Sequence, residues 1–185
     1  MTDDRMKTSD LDESLMNIKA FAFDVDGVMT DGGILADLSG ELYRTFDSKD
    51  GFGLRMASMH GYRLGIITGG RSESIRRRFA TCGVKAEDVY LGSRDKMEDF
   101  RDFCSRHGLA PDEVMFCGDD LPDIPVMVEC GCGACPSDAV PEVQEIADHV
   151  SHCPGGRGFV RSVIEMVMKL QGKWALDVGQ YKRNF

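Results

Sequence analysis

A short apolar run, Ala20-Phe21-Ala22-Phe23, breaks off into Asp24-Val25-Asp26-Gly27, and this junction constrains the chain more than any other segment. The apolar run before the turn signal predicts a buried strand over about Ile18 to Phe23, of the kind found inside a parallel sheet covered on both faces. Side chains two residues apart on extended backbone point the same way, so Asp24 and Asp26 leave the strand's carboxyl end together. Two neighbouring carboxylates repel unless a divalent cation or a shared proton holds them. The pair therefore predicts a metal-assisted site in which one carboxylate attacks and the other handles a proton.

The chain repeats this strand-and-turn pattern. Arg63 to Thr68 predicts a second strand, ending in Thr68-Gly69-Gly70, and Ser72 then starts a helix through Cys82. Asp88 to Leu91 is a short strand followed by a helix from Lys96 to His107. Val114 to Cys117 ends in Gly118-Asp119-Asp120, with Asp123 a turn further on. A helix over Ile124 to Cys130, a strand at Gly133 to Cys135 and a helix from Pro141 to Ala147 follow. His149-Val150 is a last short strand, and Gly158 to Leu170 carries an apolar stripe of helical period. Between the first two strands, Gly33 to Phe46 reads as a hairpin around Ser39-Gly40, and Gly51 to Met59 as a helix. Strands alternating with helices predict an α/β fold: a three-layer, doubly wound, Rossmann-like parallel sheet with a small β-hairpin flap after strand 1. The expected organisation is a flexible N-terminal arm over 1–15, one domain over 16–170 and a C-terminal tail over 171–185.

In such sheets ligands sit at the carboxyl ends of the strands. Those ends carry complementary groups: Asp24 and Asp26, then the Thr68 hydroxyl with the close-approach backbone of Gly69 and Gly70, then the Lys96 cation, then Asp119 and Asp120. Singly, each has a plainer explanation, since carboxylates cap turns and helices and lone lysines are usually solvated. Turn chemistry does not account for all four at successive strand ends with matched charge.

The remaining composition excludes several classes. A net charge of −9 over 185 residues, with no basic run longer than Arg76-Arg77-Arg78, argues against nucleic acid as a partner. No segment approaches the roughly 20 apolar residues of a membrane span. The polar, acidic start has no apolar core, so no secretory signal is expected. Seven scattered cysteines suit a reducing cytoplasm better than a disulfide framework. Cys130, Cys132 and Cys135 raise a zinc question, but they flank a Gly/Ala-rich strand where cysteine packs as a small hydrophobe. Only the distant His149, His152 and Cys153 are left to complete a ligand set.

Asp-x-Asp-Gly, Thr, Lys and Gly-Asp-Asp in this order resemble the four motifs of the haloacid dehalogenase superfamily of phosphotransferases. The resemblance implies Asp24 as nucleophile, Asp26 as general acid and base, and Thr68 and Lys96 as phosphoryl ligands. It also implies Mg²⁺ held by Asp24, the Asp26 carbonyl and Asp119, with Asp120 and Asp123 close behind. About 40 residues separate Asp26 from Thr68, too few for the superfamily's usual cap domain. The segments 24–33, 49–53, 67–69, 118–123 and 155–158 narrow the resemblance to the capless phosphatases of 3-deoxy-D-manno-octulosonate 8-phosphate (Kdo 8-phosphate), over about residues 18 to 174. That branch implies a homotetramer in lipopolysaccharide Kdo biosynthesis, with hairpins associating and C-terminal tails reaching a neighbour's site. Gly70 departs from the Arg often found there in this branch, and Arg71 follows it. The substrate carboxylate needs a cation, for which Arg71, Arg78 and Arg157 are candidates beside Gly69. The alternatives are a phosphatase of nine-carbon sialic-type sugar acid phosphates and a non-catalytic oligomerisation module. A phospho-acceptor of response-regulator type is disfavoured by Asp26.

Overall fold

The structure is a computed structural model that describes residues 8–184. Its centre is a six-stranded parallel sheet. The strands are β1 (Ala20–Phe23), β4 (Arg63–Thr68), β5 (Val89–Leu91), β6 (Val114–Cys117), β7 (Cys132–Cys135) and β8 (His149–Val150). Their order is β5-β4-β1-β6-β7-β8, so the chain winds outward from β1 on one side and restarts beside it with β6. The switch point, where α/β sheets place ligands, lies between β1 and β6. This is the doubly wound architecture the sequence predicts.

The period-2 alternation of the strands sorts two cores. Phe21 and Phe23 of β1 join Leu64, Ile66, Met115 and Cys117 on one face. Ala20 and Ala22 join Ile67, Val114 and Phe116 on the other. The first face is covered by α2 (Ser48–Met59), α3 (Glu73–Ala80) and α7 (Phe159–Leu170), and the second by α4 (Lys96–His107), α5 (Ile124–Glu129) and α6 (Pro141–Ile146). Side-chain caps fix several helix starts. Asp47 accepts from the backbone N–H of Lys49 and Asp50, so α2 begins at Ser48, earlier than the Gly51 start expected from sequence. Asp95 caps α4 through the N–H groups of Met97 and Glu98, which sets Lys96 at the first helical position. Helix α7 follows Gly158 and has no cap of its own; Asp50 supplies one from α2, accepting from Gly158 N at 3.2 Å and Arg161 N at 2.7 Å.

The flap is a two-stranded hairpin of β2 (Leu35–Ala36) and β3 (Leu42–Tyr43), with Leu35 opposite Tyr43. Asp37 holds its turn, accepting from Ser39 N, Glu41 N and the Tyr43 hydroxyl. Ile34, Leu35, Leu38 and Tyr43 are exposed on it.

Both chain ends carry helices. The segment read as a flexible arm forms α1 (Thr8–Asn17) from Thr8 on, while residues 1–7 lie outside those described. Leu11 and Leu15, one helical turn apart, pack on the first core, and Leu15 is 2% exposed. The Gln171 side-chain amide donates to the carbonyls of Leu15 and Ile18 at 2.8 and 2.9 Å. The tail beyond it ends in α8 (Val178–Asn184), which packs on α2 through Tyr181 against Phe52 and a Gln180 hydrogen bond to the Met59 carbonyl.

A docked α1 makes Leu15 part of the core. Leu15→Ala should cost about 2–5 kcal/mol in urea unfolding, whereas an undocked arm would leave stability within about 0.5 kcal/mol.

Candidate active site

Loop backbone after β1 and β6 brings the acidic residues together. Asp24 N donates to the Cys117 carbonyl at 2.9 Å, which extends the β1–β6 pairing one step past the strand. The chain then turns at Gly27, whose φ is +90°, and a Cβ there would lie 1.9 Å from Asp119 Oδ2. Only glycine lets this loop pass so close over the carboxylate of the next strand. Thr30 braces the turn, its hydroxyl oxygen accepting from Gly27 N and Gly32 N.

Lys96 reaches in from the start of α4 and is 9% exposed. Its ammonium lies 2.9 Å from Asp24 Oδ1 and 2.6 Å from Asp123 Oδ1. The other oxygen of Asp123 accepts from Asp119 N at 3.0 Å and Asp120 N at 3.3 Å. Asp123 therefore ties the lysine to the Asp119-Asp120 loop. Asp119 is placed differently, for its buried Oδ1 has no hydrogen-bond partner among the described residues.

The electrostatics show the strain of this gathering. Burial raises the Asp24 carboxyl to about 6, against the lowering pull of Lys96. Burial, followed by repulsion from Asp24 and Asp123, pushes Asp119 up to about 8. For Lys96, burial opposes the charge, and Asp24 with Asp123 outweighs it, so its pKa stands above the ordinary value. Carboxylate oxygens of Asp24, Asp119 and Asp123 all lie within 4.8 Å of one another. With all three ionised and Lys96 charged, the group carries a formal charge of −2, which a hard divalent cation would balance. The unpartnered Asp119 oxygen is the specific sign of such a ligand position. The oxygens of Asp123 are already hydrogen-bonded, which suits orientation of the ligands more than ligation.

Thr68, Gly69, Gly70, Ser93 and Arg94 complete the same cavity of about 330 Å³. The Thr68 hydroxyl oxygen accepts from Gly70 N at 3.1 Å, and its proton is free to donate outward. Ser93 N donates to the Thr68 carbonyl at 2.9 Å, while the buried Ser93 hydroxyl has no partner among the described residues.

Asp24, Asp26, Thr68, Gly69, Lys96, Asp119, Asp120 and Asp123, all singled out from sequence, line this one cavity. The three arginines do not. Arg71 lies beside Gly92. Arg78 donates to the Thr81 hydroxyl and Cys82 Sγ, with its guanidinium 5.9 Å from the Phe46 ring centroid. Arg157 is exposed and lies 3.3 Å from Asp31. Sequence reasoning missed Ser93, Arg94 and Arg44. Arg44 grips Asp26 through Nε to Oδ1 at 2.6 Å and Nη2 to Oδ2 at 2.9 Å. Strand alternation does not mark it, because Leu42 and Tyr43 of β3 are both exposed. Asp26 therefore has both of its side-chain oxygens on Arg44.

This sheet with these strand-end groups defines a haloacid dehalogenase-like hydrolase, and the sequence profile of that family matches residues 73–159. A 3-deoxy-D-manno-octulosonate 8-phosphate phosphatase of Salmonella typhi is 38% identical over 164 residues, covering 89% of this chain and 86% of the relative. The crystal structure of such a phosphatase from Yersinia pestis has a TM-score of 0.85 at 34% identity, covering 89% of this chain and 88% of that one. The Moraxella catarrhalis phosphatase, solved with a magnesium ion, a phosphate ion and a KDO molecule, has a TM-score of 0.85 at 30% identity, covering 90% and 94%. The chain belongs to this family of 3-deoxy-D-manno-octulosonate 8-phosphate phosphatases.

A carboxyl whose folded pKa is raised keeps a proton that the unfolded chain has released. Stability without metal should therefore fall as pH rises from about 4 towards 8, the span between the ordinary and folded values for Asp119. Asp119→Asn should flatten that fall and raise the metal-free midpoint at pH 8, by roughly 2–4 °C per kcal/mol relieved. Added divalent cation should stabilise the native protein and not the variant, as read by thermal unfolding.

Proposed function

We propose that this chain hydrolyses 3-deoxy-D-manno-octulosonate 8-phosphate to Kdo and inorganic phosphate, in lipopolysaccharide Kdo biosynthesis. The observation that carries the reading is the Asp24 carboxylate, oriented by Lys96 in a cavity with hydroxyl and backbone donors. It stands in a chain related over most of its length to phosphatases named for this substrate.

In this reading the Asp24 carboxylate attacks phosphorus while the bond to the sugar's C8 oxygen breaks, giving an aspartyl-phosphate. Asp26 gives a proton to the departing oxygen and later takes one from the water that releases phosphate. Lys96 and the Thr68 hydroxyl hold phosphoryl oxygens, and Lys96 keeps the attacking carboxylate in one orientation. Asp24, Asp119 and the Asp26 carbonyl would hold Mg²⁺, which supplies charge neutralisation for the meeting of carboxylate and phosphate dianion. Positioning of this kind provides most of the catalysis in phosphoryl transfer.

With about 40 residues between Asp26 and Thr68, the described residues hold a small flap there and no cap domain. The exposed Ile34, Leu35, Leu38 and Tyr43 of the flap support association into a homotetramer. The seven free cysteines, most of them buried, support a reducing, cytoplasmic setting.

Phosphate release from Kdo 8-phosphate should require Mg²⁺ and fall about 10⁴-fold or more in Asp24→Asn. Retention of turnover in that variant would remove Asp24 as nucleophile. Parallel assays with the nine-carbon acid 9-phosphate should favour the eight-carbon substrate in kcat/KM, and the reverse preference would reassign the substrate.

A further inference from the structure

The flap places one guanidinium between two cavities. Arg44 leaves the exposed end of β3, yet its side chain is only 3% exposed, and it lines a second cavity of about 370 Å³ bounded by Asp31, Ile34, Leu35 and Tyr43. Its fork holds both oxygens of Asp26, which lines the cavity of Asp24. Position 70 makes room for it: a Cβ on Gly70 would sit 3.1 Å from Arg44 Nη2 and 2.9 Å from Ile75 Cδ1. With glycine there, the arginine rises from the flap and occupies that space.

This arrangement is incompatible with a working Asp26 unless something changes. Both oxygens of Asp26 are engaged, and one must face the ester oxygen during proton transfer. A buried guanidinium does not simply let go, because leaving its donors unpaired costs much of the bond's strength. It can exchange one carboxylate for another, since a second planar carboxylate restores both charge-assisted hydrogen bonds. Lys96 is committed to Asp24 and Asp123, and the exposed Arg157–Asp31 pair offers little binding energy.

We propose that Arg44 is the specificity-determining cation of this enzyme: Asp26 holds its fork in the free protein, and the carboxylate of the phosphorylated sugar acid takes that place on binding. The exchange seats the acid end of the substrate beneath the flap and releases Asp26 towards the ester oxygen. A phosphate ester without a carboxylate leaves the fork on Asp26 and reacts poorly. The inference rests on the sugar acid phosphatase reading above and adds the group that recognises the acid.

The experiment compares kcat/KM for Kdo 8-phosphate with that for glucose 6-phosphate, also a primary-alcohol ester but without the carboxylate. In Arg44→Ala the ratio between the two should fall about 10- to 100-fold, the value of one charge-assisted contact, mostly through KM for the sugar acid. Arg44→Lys, which keeps the charge and loses the fork, should fall in between. Thermal unfolding of both variants verifies that they are folded. An equal loss on both esters would overturn the proposal, as would a ratio unmoved in Arg44→Ala or one that falls only in Arg157→Ala. If the unmodified protein does not hydrolyse Kdo 8-phosphate, the functional reading itself fails, a result distinct from these.

Discussion

The contact on which the site depends is a buried ammonium between two carboxylates. Lys96 lies 2.9 Å from Asp24 and 2.6 Å from Asp123, so neither acid stands alone in the interior. Taking either charge from water is costly, and attraction offsets that cost only when hydrogen bonds complete the geometry. They do so here: the second oxygen of Asp123 accepts from the N–H groups of Asp119 and Asp120. The lysine thus orients Asp24 directly and the Asp119-Asp120 loop through one intermediary. Removing Asp123 would disturb both, although it is not itself placed to react.

The fold's part is to deliver these groups to one place. Because the chain starts again beside β1 after reaching the sheet edge at β5, the ends of β1 and β6 meet at the switch point. Asp24 and Asp119 come from those ends, and Gly27 lets the two loops lie in contact. Thr68 comes from β4 and Lys96 from the helix after β5, which closes the ring of charge. The doubly wound topology makes a compact site out of residues spread over a hundred positions of sequence.

Much of this was legible from the sequence because most of the cavity's polar groups follow strands of clear apolar pattern. The apolar runs before Asp24, Thr68 and Asp119 are buried strands, and Ser72 signals the helix after the second of them. What the sequence did not reveal depends on contacts across the fold. Arg44 was hidden because its partner Asp26 lies across the site, and nothing local marks the pairing. Arg78, a substrate candidate from the sequence, makes contacts within this chain to Cys82, Thr81 and the Phe46 ring that no local pattern announces. Helix α1 was missed because its apolar stripe is thin, Leu11 and Leu15, and polar residues surround it. The orphaned oxygens of Asp119 and Ser93 are properties of burial, which no residue type announces.

The Asp50 carboxylate has a consequence for how this chain can change over time. It lies in the segment 49–53, while the N–H groups it accepts from belong to Gly158 and Arg161, over a hundred positions later. The two segments look like separate signatures in the sequence, but they share one hydrogen-bonded junction. A substitution at Asp50 strands two donors at the start of α7, and no neighbour within that helix start replaces it, since Gly158 has no side chain to cap with. Drift in one segment is therefore coupled to the other, and a descendant that loses Asp50 must acquire a new cap at the head of α7 to keep its Gly-rich loop in place.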